Sequence, residues 1–238
     1  YDICACLVGS EMCIRDRPLY LLGHFKSIAE IEAHMDELQL MSGEHAFKRY
    51  GYPELHYVAA DITGRIVAIE TSAKPLKIYE NPLGILTNAY NFERQLNQLK
   101  DYMTFTPEFE ADQVPLNTAR VTTGSFSGKK IPAGSYTPSS RFIRAAYYKE
   151  RTDQPLDEAS GIVSMWHLLN GVSVPKSTMY QQNYSVYRAA TVTDSLSYYF
   201  EPYNRLGVVK LQLTPELLTV TTPQFYQVPD KLQTFKLN

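Results

Sequence analysis

The chain has 238 residues, of which 44% are hydrophobic and 20% charged, and its formal net charge is −2 at pH 7. This size and composition are typical of a globular protein with one large domain or two small ones. The charge balance gives no bulk attraction to nucleic acid, and no apolar run reaches the roughly 18 residues of a membrane helix. We therefore expect neither nucleic acid nor a membrane as a partner. A cytoplasmic location is a separate expectation.

The first 17 residues differ from the rest of the chain. They hold all three of its cysteines, Cys4, Cys6 and Cys13. Part of this segment, ACLVGSEMCIRDR, resembles a translated sequencing adapter, so we predict that residues 1–17 are non-native, that none of them packs, and that the domain covers 18–238. Charged residues interrupt its apolar stretch, which argues against a signal peptide. Zinc is disfavoured because paired CxxC spacing and a distal ligand pair are both absent.

The first half of the domain alternates helical and extended patterns. Ser27 begins a Ser-x-x-Glu capping sequence, and the apolar spacing that follows predicts an amphipathic helix over 28–39. Four short strands are predicted, at 55–60, 65–72, 77–80 and 83–87. The sequence DITG at 61–64 has the residues of a tight turn between the first two strands. Apolar residues at helical spacing then predict a helix over 92–102.

The second half begins with a long segment rich in proline and glycine. Residues 104–137 are predicted to be irregular, with room for a short hairpin, and loops of this length often line a site or contact another subunit. Two helices are predicted near 138–150 and 157–169. A meander of three strands is predicted at 184–193, 196–201 and 207–213. This order of elements predicts a layered α+β fold but does not select one such fold.

Two stretches of the sequence resemble a known family. Residues 75–103, PLKIYENPLGILTNAYNFERQLNQLKDYM, and 137–150, TPSSRFIRAAYYKE, resemble the choloylglycine hydrolases, a family that contains bile salt hydrolases and penicillin V acylases. The resemblance implies an α+β fold, a partial αββα sandwich of the N-terminal nucleophile hydrolase type. It also implies hydrolysis of a linear amide without a metal or organic cofactor.

The family resemblance also carries expectations about the nucleophile and the assembly. Family members attack with an N-terminal Cys. The resemblance runs from about Leu19 to the C-terminus and does not reach that Cys, so we expect the chain alone to be inactive. The region 104–137 resembles an assembly loop, which implies a homotetramer for the full-length enzyme.

Asn88 is the first candidate catalytic residue. It follows the apolar run ILT, and a side-chain amide there could donate a hydrogen bond to a developing oxyanion, which is typically worth about 3 kcal/mol of barrier. From the residue alone, a turn-capping asparagine is the more common interpretation. The family's Thr-Asn pair matches Thr87-Asn88, which favours the catalytic role. The sequence FERQ at 92–95 departs from the Trp-containing stretch of the family, which puts substrate contacts from that helix in doubt.

Arg141 is the second candidate catalytic residue. Thr137 and Pro138 predict a helix start, which places Arg141 in the first turn, where a cation opposes the helix dipole by about 0.3–1 kcal/mol. An exposed surface arginine is the alternative. The motif SRF at 140–142 matches the family, in which this Arg lies near the nucleophile, and a nearby cation favours the thiolate. We therefore predict that the side chains of Arg141 and Asn88 converge on one cleft.

Other polar residues are expected to be structural or solvated. Asp61, Glu70 and Arg144 are predicted to lie at the surface, whereas Tyr147 and Trp166 are predicted to be in the core. The five histidines share no spacing typical of metal ligands.

Two functional hypotheses remain at this level. The first is a fragment of a linear amide hydrolase that acts on a small-molecule substrate, either a glycine- or taurine-conjugated bile acid or penicillin V. The second is a family-like scaffold without hydrolase activity that serves as a binding module. The sequence around the two candidate residues does not separate the two substrates.

Overall fold

The computed structural model describes residues 11–12, 17–40, 48, 56–71, 76–88, 91–103, 109–110, 128–129, 134–177, 179, 184–229, 231–232, 234 and 236. The chain divides into two compact units, residues 1–147 and 148–238. Both units combine helices with antiparallel strands, as the α+β prediction requires.

The first unit holds four helices and seven strands among its described residues. The helices are α1 (Arg17–His24), α2 (Ile28–Ala33), α3 (Phe92–Leu99) and α4 (Pro138–Lys149), whose last two residues belong to the second unit. Single 3-10 turns, Met35–Glu37 and Lys100–Tyr102, follow α2 and α3. The strands are β1 (Glu11–Met12), β2 (Gln39–Leu40), β3 (His56–Ala60), β4 (Ile66–Glu70), β5 (Lys77–Glu80), β6 (Phe109–Glu110) and β7 (Gly128–Lys129).

The central strand β4 determines where the core of this unit lies. It pairs antiparallel with β3 on one side and β5 on the other. Because side chains alternate along a strand, Val67 and Ile69 face α1 and α2, whereas Ala68 faces α3 and α4. Both faces of β4 are therefore covered by helices, and these three residues are almost completely buried.

The turn between β3 and β4 confirms the prediction for 61–64. Gly64 has a φ of 82°, which favours glycine, and the N–H of Thr63 donates to Asp61 Oδ1 at 3.0 Å. Asp61 Oδ2 also accepts the N–H of Ile28, the first residue of α2, at 3.1 Å. Hydrogen bonds from the Thr63 hydroxyl and then from Ile28 hold the pKa of Asp61 below its ordinary value. Asp61 is half-buried and joins the turn to α2, so it is not simply a solvated residue as predicted.

Two predicted elements differ from the structure. The helix predicted over 28–39 begins correctly, with the Ser27 side chain accepting the Glu30 N–H, but it ends at Ala33 and is followed by a 3-10 turn. The strand predicted over 83–87 is wrong. Buried Asn81 holds this segment in an irregular conformation, because its side chain accepts the Gly84 N–H at 3.1 Å and donates to the carbonyl of Ile85 at 3.1 Å.

The segment 1–17 contacts the domain at two described places. Strand β1 pairs in parallel with β2, and Arg17 is fully buried at the start of α1, a helix that was not predicted. The expectation that nothing in this segment packs is wrong for these residues. Leu7, Val8 and Ile14 lie outside the described residues, and the non-native origin of the segment stays a prediction.

The second unit combines a three-stranded meander with a long helix. Its helices are α5 (Glu158–Asn170) and α6 (Pro215–Leu218), and its strands β8 (Tyr187–Val192), β9 (Ser197–Pro202) and β10 (Val209–Gln212) lie in the order β10-β9-β8. The predicted meander is confirmed. Helix α5 begins with a capping box in which Asp157 accepts the Ser160 N–H at 2.7 Å. None of the helices described in either unit is long and apolar enough to cross a membrane.

Candidate active site

Asn88 and Arg141 are in direct contact. Arg141 Nη2 donates to Asn88 Oδ1 at 2.5 Å, although the two residues lie 53 positions apart in the sequence. Asn88 stands at a bend in the irregular segment after β5, and Arg141 stands in the first turn of α4. The prediction that the two side chains meet is confirmed, and their catalytic roles stay a prediction.

The contact with Arg141 fixes the orientation of the Asn88 amide. A guanidinium group has only donors, so the Asn88 atom that faces it must be the oxygen Oδ1. The amide nitrogen Nδ2 is consequently turned away from Arg141. Among the described residues, no acceptor lies within hydrogen-bond distance of Nδ2, and the Asn88 side chain is exposed. The Asn88 amide is therefore held with its N–H donors directed away from Arg141.

Arg141 is held from a second direction. Its Nε donates to the carbonyl of Tyr136 at 3.1 Å, and the residue is half-buried. Burial, and then the neighbouring cation Arg144, lower the pKa of Arg141. The guanidinium nevertheless remains protonated in the range in which proteins work. Arg141 thus presents a fixed positive charge beside the Asn88 amide.

Arg144 is not the surface residue that was predicted. It is 7% exposed, and its Nη1 donates to the carbonyl of Ser135 at 2.8 Å. Gly134 makes room for this guanidinium, because a Cβ at that position would lie 1.6 Å from Arg144 Nη1. The second cation of α4 is therefore buried beneath the segment that leads into the helix.

Thr87, the residue before Asn88, forms hydrogen bonds with two helices. Its hydroxyl lies 3.1 Å from Gln95 Oε1 on α3 and 3.1 Å from the carbonyl of Pro138 at the start of α4. Gln95 Nε2 donates to the carbonyl of Thr87 at 3.3 Å. Gln95 was not identified from the sequence. The signal that could have revealed it is a polar residue on the apolar face of the helix, at helical spacing between Phe92 and Leu99.

Glu70 is also buried rather than solvated, with 1% exposure. Its Oε1 accepts the N–H of Phe92, the first residue of α3, at 2.9 Å, and its Oε2 accepts from His56 Nδ1 at 2.8 Å. The reason is that Glu70 ends a strand that is covered on both faces. Its carboxylate satisfies one of the free N–H groups at the start of α3, the helix that carries Gln95.

Comparison with known proteins identifies the family of this chain. Residues 16–226 match the family described as linear amide C–N hydrolases, choloylglycine hydrolase family. The chain belongs to the choloylglycine hydrolase family. Among its relatives, the bile salt hydrolase/transferase of Lactiplantibacillus plantarum is 29% identical over 92% of this chain and 68% of that protein. The bile salt hydrolase/transferase of Clostridium perfringens is 23% identical over 84% of this chain and 62% of that protein. This member of the family thus spans roughly two-thirds of the length of these relatives.

Solved structures of choloylglycine hydrolases and related acylases show the same fold. A variant of the conjugated bile acid hydrolase from Clostridium perfringens aligns with 100% of this chain and 72% of its own, with a TM-score of 0.72 and 20% identity. Penicillin V acylase from Agrobacterium tumefaciens aligns with 89% of this chain and 59% of its own, with a TM-score of 0.65 and 20% identity. These likenesses confirm the predicted α+β fold of the N-terminal nucleophile hydrolase type.

Proposed function

We propose that this chain forms part of a hydrolase for linear amides, in which Asn88 stabilises the oxyanion and Arg141 orients Asn88 and polarises the site. The observation that supports this proposal is the hydrogen bond from Arg141 to Asn88 Oδ1, which leaves Nδ2 directed outward as a donor. Such a fixed donor stabilises charge that develops on a carbonyl oxygen during attack.

The nucleophile in this proposal is an N-terminal Cys of the complete protein, outside the 238 residues. Its sulfur adds to the amide carbonyl carbon, and its own α-amine accepts the thiol proton. The oxyanion intermediate collapses, the C–N bond breaks, and the leaving amine takes up the proton. Water then hydrolyses the acyl-enzyme thioester. The charge of Arg141 favours the thiolate that starts the reaction.

The proposed substrate is a conjugated bile acid or penicillin V. The names of the bile salt hydrolases and of the penicillin V acylase that resemble this chain support both compounds. Both are amides with a bulky acyl group, and the described residues do not favour one over the other.

The homotetramer of the complete protein stays a prediction, which light scattering would test. The cytoplasmic location also stays a prediction.

The test measures turnover of the complete gene product with glycocholate, taurocholate and penicillin V, detecting the released amine. We expect hydrolysis of at least one of them. Asn88→Ala should lower kcat by about 10²–10³-fold, because one oxyanion donor is lost. Asn97→Ala is the matched control, since Asn97 is an exposed residue on α3 whose side chain contacts Lys100. Arg141→Ala should lower kcat as well, by releasing the Asn88 amide.

The alternative of an inactive scaffold has a distinct outcome. A complete protein that binds one of these amides, as measured by calorimetry, but hydrolyses none would be a binding module. Full turnover in both Asn88→Ala and Arg141→Ala would instead show a hydrolase whose catalytic groups lie elsewhere.

A further inference from the structure

Gln95 is a polar residue in an apolar environment. It is 0% exposed and lies on the same face of α3 as Phe92 and Leu99, which form an apolar cluster with Phe142. A buried amide needs hydrogen-bond partners, because burying it without them is costly. A leucine or methionine would need no such partners, so the groups that the glutamine binds indicate its role.

Both ends of the Gln95 amide are directed at one residue. Nε2 donates to the carbonyl of Thr87 at 3.3 Å, and Oε1 accepts from the Thr87 hydroxyl at 3.1 Å. The opposite orientation of the amide would place Oε1 against the Thr87 carbonyl oxygen, where two acceptors would repel each other. The amide therefore fits Thr87 in a single orientation and holds its backbone.

Thr87 connects this buried amide to both candidate catalytic residues. It directly precedes Asn88, and its hydroxyl lies 3.1 Å from the carbonyl of Pro138, the first residue of the helix that carries Arg141. The hydroxyl has one proton, so Gln95 Oε1 and the Pro138 carbonyl share it. Asn88 in turn accepts a hydrogen bond from the Arg141 guanidinium, which links the segment at Thr87 and Asn88 to the helix that carries Arg141 a second time.

We propose that Gln95 is a positioning residue for Asn88: it holds the Thr87 backbone and hydroxyl so that the Asn88 amide meets Arg141 and directs Nδ2 at the oxyanion. This inference rests on the proposed function for its effect on turnover. The structural part of the inference, that Gln95 orders the Asn88 side chain, can be tested without measuring turnover. An error of about 1 Å in the placement of a catalytic group can cost roughly 100-fold in rate.

The first experiment measures the pH profile of Gln95→Glu in the complete protein. The substitution keeps the size of the side chain. An ionised carboxylate cannot donate to the Thr87 carbonyl, whereas a protonated carboxyl donates and accepts as the amide does. At the alkaline end of the profile, where the carboxyl is ionised although burial raises its pKa, we expect kcat to fall by about 10–100-fold with KM almost unchanged, as for a group that acts only in the transition state. The ratio of variant to wild-type kcat should rise towards one as the pH falls. Asn97→Asp, the same chemical change on the exposed face of α3, should leave the ratio at one throughout.

A pair of variants at Thr87 separates positioning from general loss of structure. Thr87→Val keeps the shape and removes the hydroxyl, whereas Thr87→Ser keeps the hydroxyl. We expect Thr87→Ser to retain kcat within a few-fold and Thr87→Val to lose about 10-fold or more, with similar denaturation midpoints. Equal losses in the two variants, or a pH-independent ratio for Gln95→Glu, would overturn the positioning role.

An NMR measurement tests the inference without using turnover. The side-chain NH₂ signals of Asn88 are assigned by their loss in Asn88→Ala, and we expect Gln95→Glu, at a pH where its carboxyl is ionised, to shift and broaden them. Unchanged Asn88 signals in Gln95→Glu would refute the positioning of Asn88. If these signals change while Asn88→Ala retains full turnover, the proposed function fails and the positioning of Asn88 by Gln95 stands.

Discussion

Each unit contains a buried polar side chain that joins a helix to its surroundings, and the two networks end in different ways. In the second unit, Glu201 Oε1 accepts the N–H of Gly207 at 2.8 Å, and Oε2 accepts from Trp166 Nε1 at 2.9 Å and from Arg188. Both carboxylate oxygens have donors within the unit. In the first unit, the contacts that begin at Gln95 end at Asn88, whose Nδ2 has no acceptor among the described residues.

We interpret this difference as one between a network that stabilises the fold and a network that leaves a donor available for the proposed substrate. In a closed network each carboxylate oxygen has a donor within the fold, so its removal affects stability. An open network keeps an oriented donor at the surface, so its removal affects binding or catalysis. The comparison predicts that substitutions in the two networks change different measured quantities.

The largest expected change in stability is at Glu201. Glu201→Ala leaves Arg188, whose side chain is 18% exposed, without its partner carboxylate, and leaves the Trp166 and Gly207 N–H groups without an acceptor. Removing one partner of a buried ion pair typically costs about 3–5 kcal/mol, and we expect that loss in the free energy of unfolding measured with urea. Asn88→Ala is the comparison and should change this free energy by less than about 0.5 kcal/mol. Equal losses in the two variants would remove the distinction between the networks.

A smaller loss is expected at Glu70. Both oxygens of its carboxylate have donors within the unit, as in Glu201, because one oxygen accepts from Phe92 and the other from His56. Glu70→Ala leaves the Phe92 N–H unsatisfied at the buried start of α3, which should cost about 1–3 kcal/mol in urea unfolding. Glu93→Ala, one residue further along the same helix and exposed, should cost only a few tenths of a kcal/mol. A Glu70→Ala loss no larger than that of Glu93→Ala would show that this carboxylate is not structural.

Local patterns in the sequence predicted most of the regular elements. The strands at β3, β4 and β5, the turn at 61–64 and the meander of the second unit depend on neighbours in the chain, which a sequence displays directly. The segment 83–87 has the composition of a strand but is held by the side chain of Asn81. Such a specific tertiary contact overrides a weak propensity for extended structure.

The environments of the buried polar residues could not be predicted in the same way. The acceptors for Arg144 and Gln95 lie nine and eight residues away in irregular segments, and Glu70 contacts a helix 22 residues further on. Sequence periodicity does not indicate such pairs, so Glu70, which flanks a hairpin, and Arg144, one helical turn after Arg141, were predicted to lie at the surface. Asn88 and Arg141 were identified through the family resemblance, because each residue by itself also fits a common structural role.

The smallest expected effect belongs to a third kind of group, the surface carboxylate Glu158 at the start of α5. A hydrogen bond from the Tyr199 hydroxyl, followed by one from Lys210 Nζ at 2.9 Å, lowers the pKa of Glu158 from 4.5 to about 2. Since the pKa is lower in the folded state, ionised Glu158 contributes stability at pH values above 4.5. That contribution falls as the pH drops from 4.5 to about 2, and it is lost below that pH, where both states bind the proton.

This linkage predicts a difference between wild type and Glu158→Gln that depends on pH. The Tm of the wild type should exceed that of the variant at pH 6 and above, and the gap should close as the pH approaches 2. Other carboxylates with lowered pKa values, such as Asp61 and Asp157, are present in both proteins, so subtracting one Tm curve from the other isolates Glu158. Salt should narrow the gap at pH 6, because the pair with Lys210 is at the surface and is screened. A gap that stays constant from pH 6 to pH 2 would mean that the charge of Glu158 does not carry its contribution to stability.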